Sequence, residues 1–310
     1  MTDSQPRIVS LLPSATEILA ALGLTEAIVG RSHECDFPSQ VQRLPVCTQP
    51  KFNPEGSSRQ IHERATDLLQ SALSVYQIDT DNLKQLQPTH IVTQAQCEVC
   101  AVSLTDVERA VSDLVGVNPQ IISLQPHLLA DVWNDILRVA QVFGVDGDAV
   151  VGKLKSRVSD CASKTESIND RSRPRVACLE WTDPLMAAGN WIPELVELAG
   201  AHPLVEVPGQ HAPTMAWDAF VATDPDIIVL MPCGFDLDRA REAAQQLAQR
   251  SEWEQLQAVR NNRVYLTDGN QYFNRPGPRL VDSLEILAEI IHPDLFDFGY
   301  RGTGWEPMSS

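Results

Sequence analysis

Apolar residues along this chain fall into two kinds of pattern. Short unbroken runs occur within Arg7–Leu12, Ala27–Gly30, His90–Thr93, Gln120–Leu124, Val176–Leu179, Ile227–Leu230 and Val264–Leu266. Runs of that length bounded by turn residues predict buried strands, and strands alternating with helices predict a parallel sheet. Between them the apolar spacing is helical. Ile18, Leu19, Leu22 and Leu24 form one stripe, and Ser14 with Glu17 three residues on has the spacing of a capping box. Asn82–Leu86 and Thr105–Val115 predict two further helices, while Pro, Gly, Ser and Asn over 45–62 predict loop.

The longest periodic stretch lies mid-chain. Positions 128, 129, 132, 136, 139, 140 and 143 repeat at helical spacing, Gly144–Gly147 interrupts them, and Asp148–Lys164 resumes. At 1.5 Å per residue such a helix spans roughly 25–30 Å. Helices are also predicted over 191–199, 215–222, 238–248 and 280–290. Residues 293–310 lack a period and predict a surface extension or disorder. The fold class is therefore α/β: two Rossmann-like lobes with mainly parallel sheets, joined by a long connecting helix, with a ligand cleft between lobes. The expected division is 1–125 for the first lobe, 126–170 for the connecting helices and 171–310 for the second. Arg7-Ile8-Val9 and Arg173-Pro174-Arg175-Val176 open the two lobes alike, each as a strand feeding a helix. Open α/β sheets bind ligands beyond the carboxyl ends of such strands.

Composition narrows the function. With 24 Lys and Arg against 41 Asp and Glu, the formal charge is −17, which disfavours a nucleic-acid partner. No run of eighteen apolar residues is present, so no membrane span is expected. Met1-Thr-Asp-Ser-Gln-Pro6 lacks the basic region and apolar core of a signal peptide, which predicts a cytoplasmic chain; a monomer is expected as well. Seven cysteines in such a setting read as thiols or metal ligands. There is no phosphate-cradling glycine loop, no Gly-x-Ser-x-Gly elbow and no His-Glu-x-x-His, so no catalytic constellation is recognised and a non-enzyme is expected.

Several segments, in order, resemble a known family. Arg7-Ile-Val-Ser-Leu-Leu-Pro-Ser-Ala-Thr-Glu17, Ser32-His-Glu-Cys-Asp-Phe-Pro38, Leu83–Val92, Leu195-Val-Glu-Leu-Ala-Gly200, Asp224-Pro-Asp-Ile-Ile-Val229 and Tyr272-Phe-Asn-Arg-Pro-Gly-Pro-Arg279 are similar to segments of the helical-backbone substrate-binding proteins. These serve ABC importers of cobalamin, iron-siderophores and haem, and the resemblance is greatest to the cobalamin-binding protein. It implies non-catalytic binding of a cobalamin-like corrinoid or related metal chelate. It places the ligand near Pro13, Ser14, Ala15, Phe37, Gln49, Phe52, Trp181, Tyr272, Phe273 and Arg275. Loop aromatics suit a flat macrocycle, although Phe37, Phe52 and Phe273 would equally pack loop bases. The Arg275 fork suits a propionate, carbonyl or phosphate. The resemblance also implies docking carboxylates at Asp81 and Glu197, for a permease if the chain is exported.

Thiols at predicted strand ends open a second reading. Cys97-Glu98-Val99-Cys100 follows the strand at 90–93, His33 and Cys35 lie on another loop, and Cys233 follows the strand at 227–230. Convergence of these five would suit zinc or iron in a metal-binding or redox protein. Their alternative is the half-buried packing typical of free cysteine. Cys47, Cys161 and Cys178 read as structural. Glu180, beside Trp181 and Asp183, is a candidate cleft acid, and an enzyme acting on a corrinoid is the third reading.

Overall fold

A computed structural model describes residues 5–70, 75–94, 103–112, 114, 118–205 and 207–308. The chain divides into two compact units, one of residues 1–56, 60–126 and 130–152, the other of 57–59, 127–129 and 153–310.

The first unit begins with β1 (Ile8–Ser10), α1 (Pro13–Ala21) and β2 (Ile28–Arg31). It continues through β3 (Thr48–Pro50), α2 (Ser58–Gln70), β4 (Tyr76–Ile78), α3 (Thr80–Leu86), β5 (His90–Gln94), α4 (Leu104–Ser112), β6 (Gln120–Leu124) and α5 (Leu129–Phe143). Its sheet has the order β2-β1-β5-β6 and is parallel throughout. Ile8, Val9, Ile91 and Val92 are fully buried, as expected when helices cover both faces of a parallel sheet. A separate antiparallel pair, β3 with β4, occupies part of what the Pro- and Gly-rich composition marked as loop. Each strand has only three residues, too short for an apolar period.

α1 starts two residues earlier than the capping-box spacing implies. Leu12 is its N-cap, without a side-chain bond, and Pro13 takes the first turn. Proline has no N–H to leave unpaired there and a φ already helical, so it displaces Ser14 from the cap. Ser14 is instead buried inside the first turn.

α6 (Gly147–Thr165) begins in the first unit and ends in the second. The interruption before it centres on Gly144 at φ +66°, where a side chain is strained. Then come β7 (Arg175–Thr182), β8 (Leu185–Ala187), α7 (Ile192–Leu198), β9 (His202–Pro203), α8 (Trp217–Thr223), β10 (Ile227–Leu230) and α9 (Leu237–Leu247). The chain ends in α10 (Gln257–Arg260), β11 (Val264–Thr267), α11 (Leu280–Ile291) and β12 (Trp305–Pro307). The second sheet runs β12-β11-β10-β7-β8, with β9 also on β7. Its centre is parallel, and its flanks β8 and β12 are antiparallel. Phe220, Ile228, Leu230 and Leu266 pack its core at 1 % exposure or less.

The tail is neither disordered nor loosely laid down. β12 pairs with β11, and buried Glu289 on α11 gathers the segment before it. Glu289 Oε1 accepts the backbone N–H groups of Phe298, Gly299 and Tyr300, and Oε2 accepts Trp305 Nε1 at 2.7 Å. A buried carboxylate without such donors would be costly.

Candidate functional site

In the first unit, the carboxyl edge of the sheet is built on β1. Ser32 N donates to Ser10 O at 2.8 Å, which ties the loop after β2 to the end of β1. Beneath it, Thr16 Oγ1 lies 2.8 Å from Ser10 Oγ and 3.1 Å from Cys35 Sγ. Cys35 is thus packed inside, at 1 % exposure. Ser14 and Ala15 are buried at the start of α1, with Pro13 half-buried before them. The Ser14 hydroxyl has no hydrogen-bond partner among the described residues. Phe37 is 46 % exposed on the same loop. Gln49 is exposed on β3, and Phe52 is half-buried just beyond it.

His33 is held more closely than its neighbours. Thr48 Oγ1 accepts its backbone N–H at 3.1 Å and faces its ring Nδ1 at 2.8 Å. The ring lies against Tyr76, with centroids 5.2 Å apart. Tyr76 OH donates to Glu34 Oε1 at 3.0 Å. Burial, helped by the Arg31 guanidinium, holds the imidazole below the usual histidine value. Thr48 and Tyr76 stand on the two short strands that no apolar run announces.

In the second unit, the carboxyl edge belongs to β7, β10 and β11. β7 runs past the predicted Leu179 to Thr182 because β8 folds back on it. Trp181 is half-buried there, its Nε1 donating to Ser58 O at 3.2 Å and Asp183 O at 3.1 Å, its ring 5.2 Å from Phe235. Arg59 grips Asp183 with two bonds of 2.9 Å. Cys233 is half-buried after β10.

The loop after β11 is more inward than expected. Phe273 has no exposed surface, and Trp191 Nε1 donates to its carbonyl at 2.7 Å while its N–H donates to Ser283 Oγ at 2.9 Å. Its ring packs the loop base, the alternative that the residue type left open. Arg275 is 6 % exposed and donates to Asn270 Oδ1 at 3.1 Å. Tyr272 is half-buried, under the Arg279 guanidinium at 5.5 Å.

Of the five expected metal ligands, His33, Cys35 and Cys233 are among the described residues. Among the described residues, no group of three or more His, Cys, Asp or Glu side chains could hold a metal ion. Cys97 and Cys100 lie outside the described residues. Cys47 and Cys161 are buried, and burial pushes their thiols up to about 11 and about 12, so both stay protonated and inert. Among the described residues, nothing in this geometry favours a redox role.

Two carboxylates expected at a docking face are exposed. Asp81 pairs with Lys84 at 3.9 Å on α3. Glu197 on α7 borders a hollow of about 320 Å³ with Glu166, Glu194 and Arg173.

Residues 8–271 match the family model described as periplasmic binding protein. The chain belongs to the periplasmic binding protein family. An uncharacterized ABC transporter substrate-binding lipoprotein, YvrC of Bacillus subtilis, is 25 % identical, over 94 % of this chain and 81 % of its own length. A cobalamin-binding protein of Halobacterium salinarum is 24 % identical, over 94 % and 70 %. The fold is shared with a periplasmic heme binding protein from Pseudomonas aeruginosa, at a TM-score of 0.72, 18 % identity and 98 % coverage of both chains.

These findings overturn the expectation of a cytoplasmic chain. The family is one of periplasmic binding proteins, and the Bacillus relative is a lipoprotein. The opening residues of a sequence as written do not report its destination. Binding proteins of this family act without catalysis, in keeping with the expected non-enzyme role.

Proposed function

We propose that the chain is the ligand-receiving component of an importer and that its ligand is a cobalamin-like corrinoid or a related metal chelate. Phe37 carries the reading. It is a large apolar ring left 46 % exposed at the carboxyl edge of a parallel sheet, where α/β units take ligands. Covering the part that is still exposed would contribute on the order of 1 kcal/mol. The cobalamin-binding relative, aligned over 94 % of the chain, supplies the ligand class. Pro13, Ser14, Ala15, Gln49 and Phe52 share that edge of the first unit. Trp181, Tyr272 and Arg275 belong to the corresponding edge of the second. Asp81 and Glu197 are the carboxylates offered to a permease, since both stand exposed on helices.

The test is thermal melting with aquacobalamin and with ferric haem. At a hundred times Kd a ligand adds about 2.7 kcal/mol, which raises the melting temperature by several degrees. If neither compound moves the transition at 100-fold molar excess, the proposal fails. Phe37→Ala is expected to reduce the shift while leaving the unliganded melt within about 1 °C, because an exposed ring contributes little to the core.

A further inference from the structure

His33 has a defined tautomer. Thr48 Oγ1 donates its single proton to Ser32 Oγ at 3.0 Å. The same oxygen accepts His33 N–H, so its contact with ring Nδ1 at 2.8 Å requires Nδ1 to carry the proton. Nε2 of the neutral ring is then a bare lone pair. It lies 3.9 Å from Glu34 Oε1, beyond hydrogen-bond reach, and that oxygen already accepts from Tyr76. Among the described residues Nε2 makes no hydrogen bond. The side chain is 25 % exposed.

This is the arrangement that prepares an imidazole to bind a metal. One ring nitrogen donates to a fixed oxygen, which sets orientation and basicity, and the other is offered outward. The Thr48 contacts and the Tyr76 ring hold the side chain in place before any ligand arrives, which lowers the cost of binding.

We infer that His33 Nε2 is an axial ligand to the metal centre of the bound chelate, and that the protein therefore selects chelates whose metal has an exchangeable axial position. The inference rests on the metal-chelate reading above. The step is a ligand exchange: the metal–water bond breaks, the metal–Nε2 bond forms, water leaves, and no electron is transferred. Thr48 is a positioning residue, since it acts through the ring.

Aquacobalamin and cyanocobalamin share one corrin and differ in whether the upper position exchanges, so the pair isolates the effect. The intact protein is expected to bind aquacobalamin at least about tenfold more tightly, with the absorbance change of imidazole replacing water. In H33A the ratio falls to near one and the absorbance change disappears, while cyanocobalamin affinity is kept. T48V leaves the ring able to turn and lowers the ratio partway. Equal binding of the two cobalamins by the intact protein, or a preference kept in H33A, overturns the ligation and leaves the corrinoid reading standing. With ferric haem, the corresponding readout is the Soret shift of imidazole coordination, lost in H33A. Failure of both cobalamins and haem to bind removes both readings. Independently of any ligand, long-range nitrogen–proton NMR correlations must show His33 as the Nδ1–H tautomer, and an Nε2–H ring refutes the inference directly.

Discussion

Glu289→Gln probes the folded tail with a change of almost no volume. The carboxylate accepts four donors: the N–H groups of Phe298, Gly299 and Tyr300 on Oε1, and Trp305 Nε1 on Oε2. An amide keeps only one acceptor oxygen. Its better orientation leaves that oxygen on the three backbone groups and turns the NH₂ against Trp305. One hydrogen bond to a charged group is lost, at about 1.5–3 kcal/mol, and three others become neutral–neutral. The expected loss is about 3 kcal/mol. With a urea slope of roughly 3 kcal/mol per molar, the midpoint moves down by about 1 M, and melting by about 6–12 °C. Urea unfolding followed by tryptophan fluorescence reads this. Trp305→Phe removes the fourth donor alone, so the double variant must lose less than the sum of the singles by at least about 1 kcal/mol. A loss below about 1 kcal/mol for Glu289→Gln, or strict additivity, would show that the carboxylate does not organise the tail.

Four other substitutions are expected to act as follows. Gly189→Ala should destabilise the second unit by more than about 2 kcal/mol, because the added Cβ meets Gln210 O at 2.3 Å and Ala212 N at 2.7 Å. Gly152→Ala, in open space within α6, should stabilise by roughly 0.5–1 kcal/mol, and equal melts for the two variants would contradict the packing at Gly189. Arg157→Met leaves Asp282 and Glu285 without the guanidinium that bonds them at 2.6 and 2.6 Å, at a cost of about 3 kcal/mol. Burial already pushes the Asp282 carboxyl up, so the defect should shrink as pH falls and the carboxyl takes up a proton, and a pH-independent defect would argue against it. Burial also holds His90 and His292 below the usual histidine value. Each is neutral when folded and gains a proton on unfolding, so stability is complete above about pH 6.5 and falls as pH drops through the folded values. His292→Gln should flatten the decline in melting temperature between pH 7 and 5, and an unchanged slope would count against this account.

Much of this protein was written in local pattern. Unbroken apolar runs marked the parallel strands because both faces of each are covered, as with Ile8, Val9, Ile227 and Ile228. The helical period marked α5, α6 and α11, and the break at Gly144 coincides with a positive φ. The ordered segments from Arg7 to Arg279 fixed the family. What stayed hidden depended on partners distant in the chain. β3, β4 and β12 are too short to show a period and exist because another strand pairs with them. Ser14 as a cap and 293–310 as a surface extension or disorder were reasonable for their residue types, and Phe273 was left between a ligand contact and loop-base packing. A proline at the helix start, Trp191 and Ser283 closing on one loop, and Glu289 collecting four donors decided each case. The thiols show the same limit, for a sequence names donor atoms without saying which of them point outward. Cys35 turned inward against Thr16, while beside it the His33 ring is held at Nδ1 by Thr48, fifteen residues away. Composition and spacing determine which elements form and which chemistry is available. The direction in which a side chain offers that chemistry is set by hydrogen bonds between segments, and those exist only once the chain has folded.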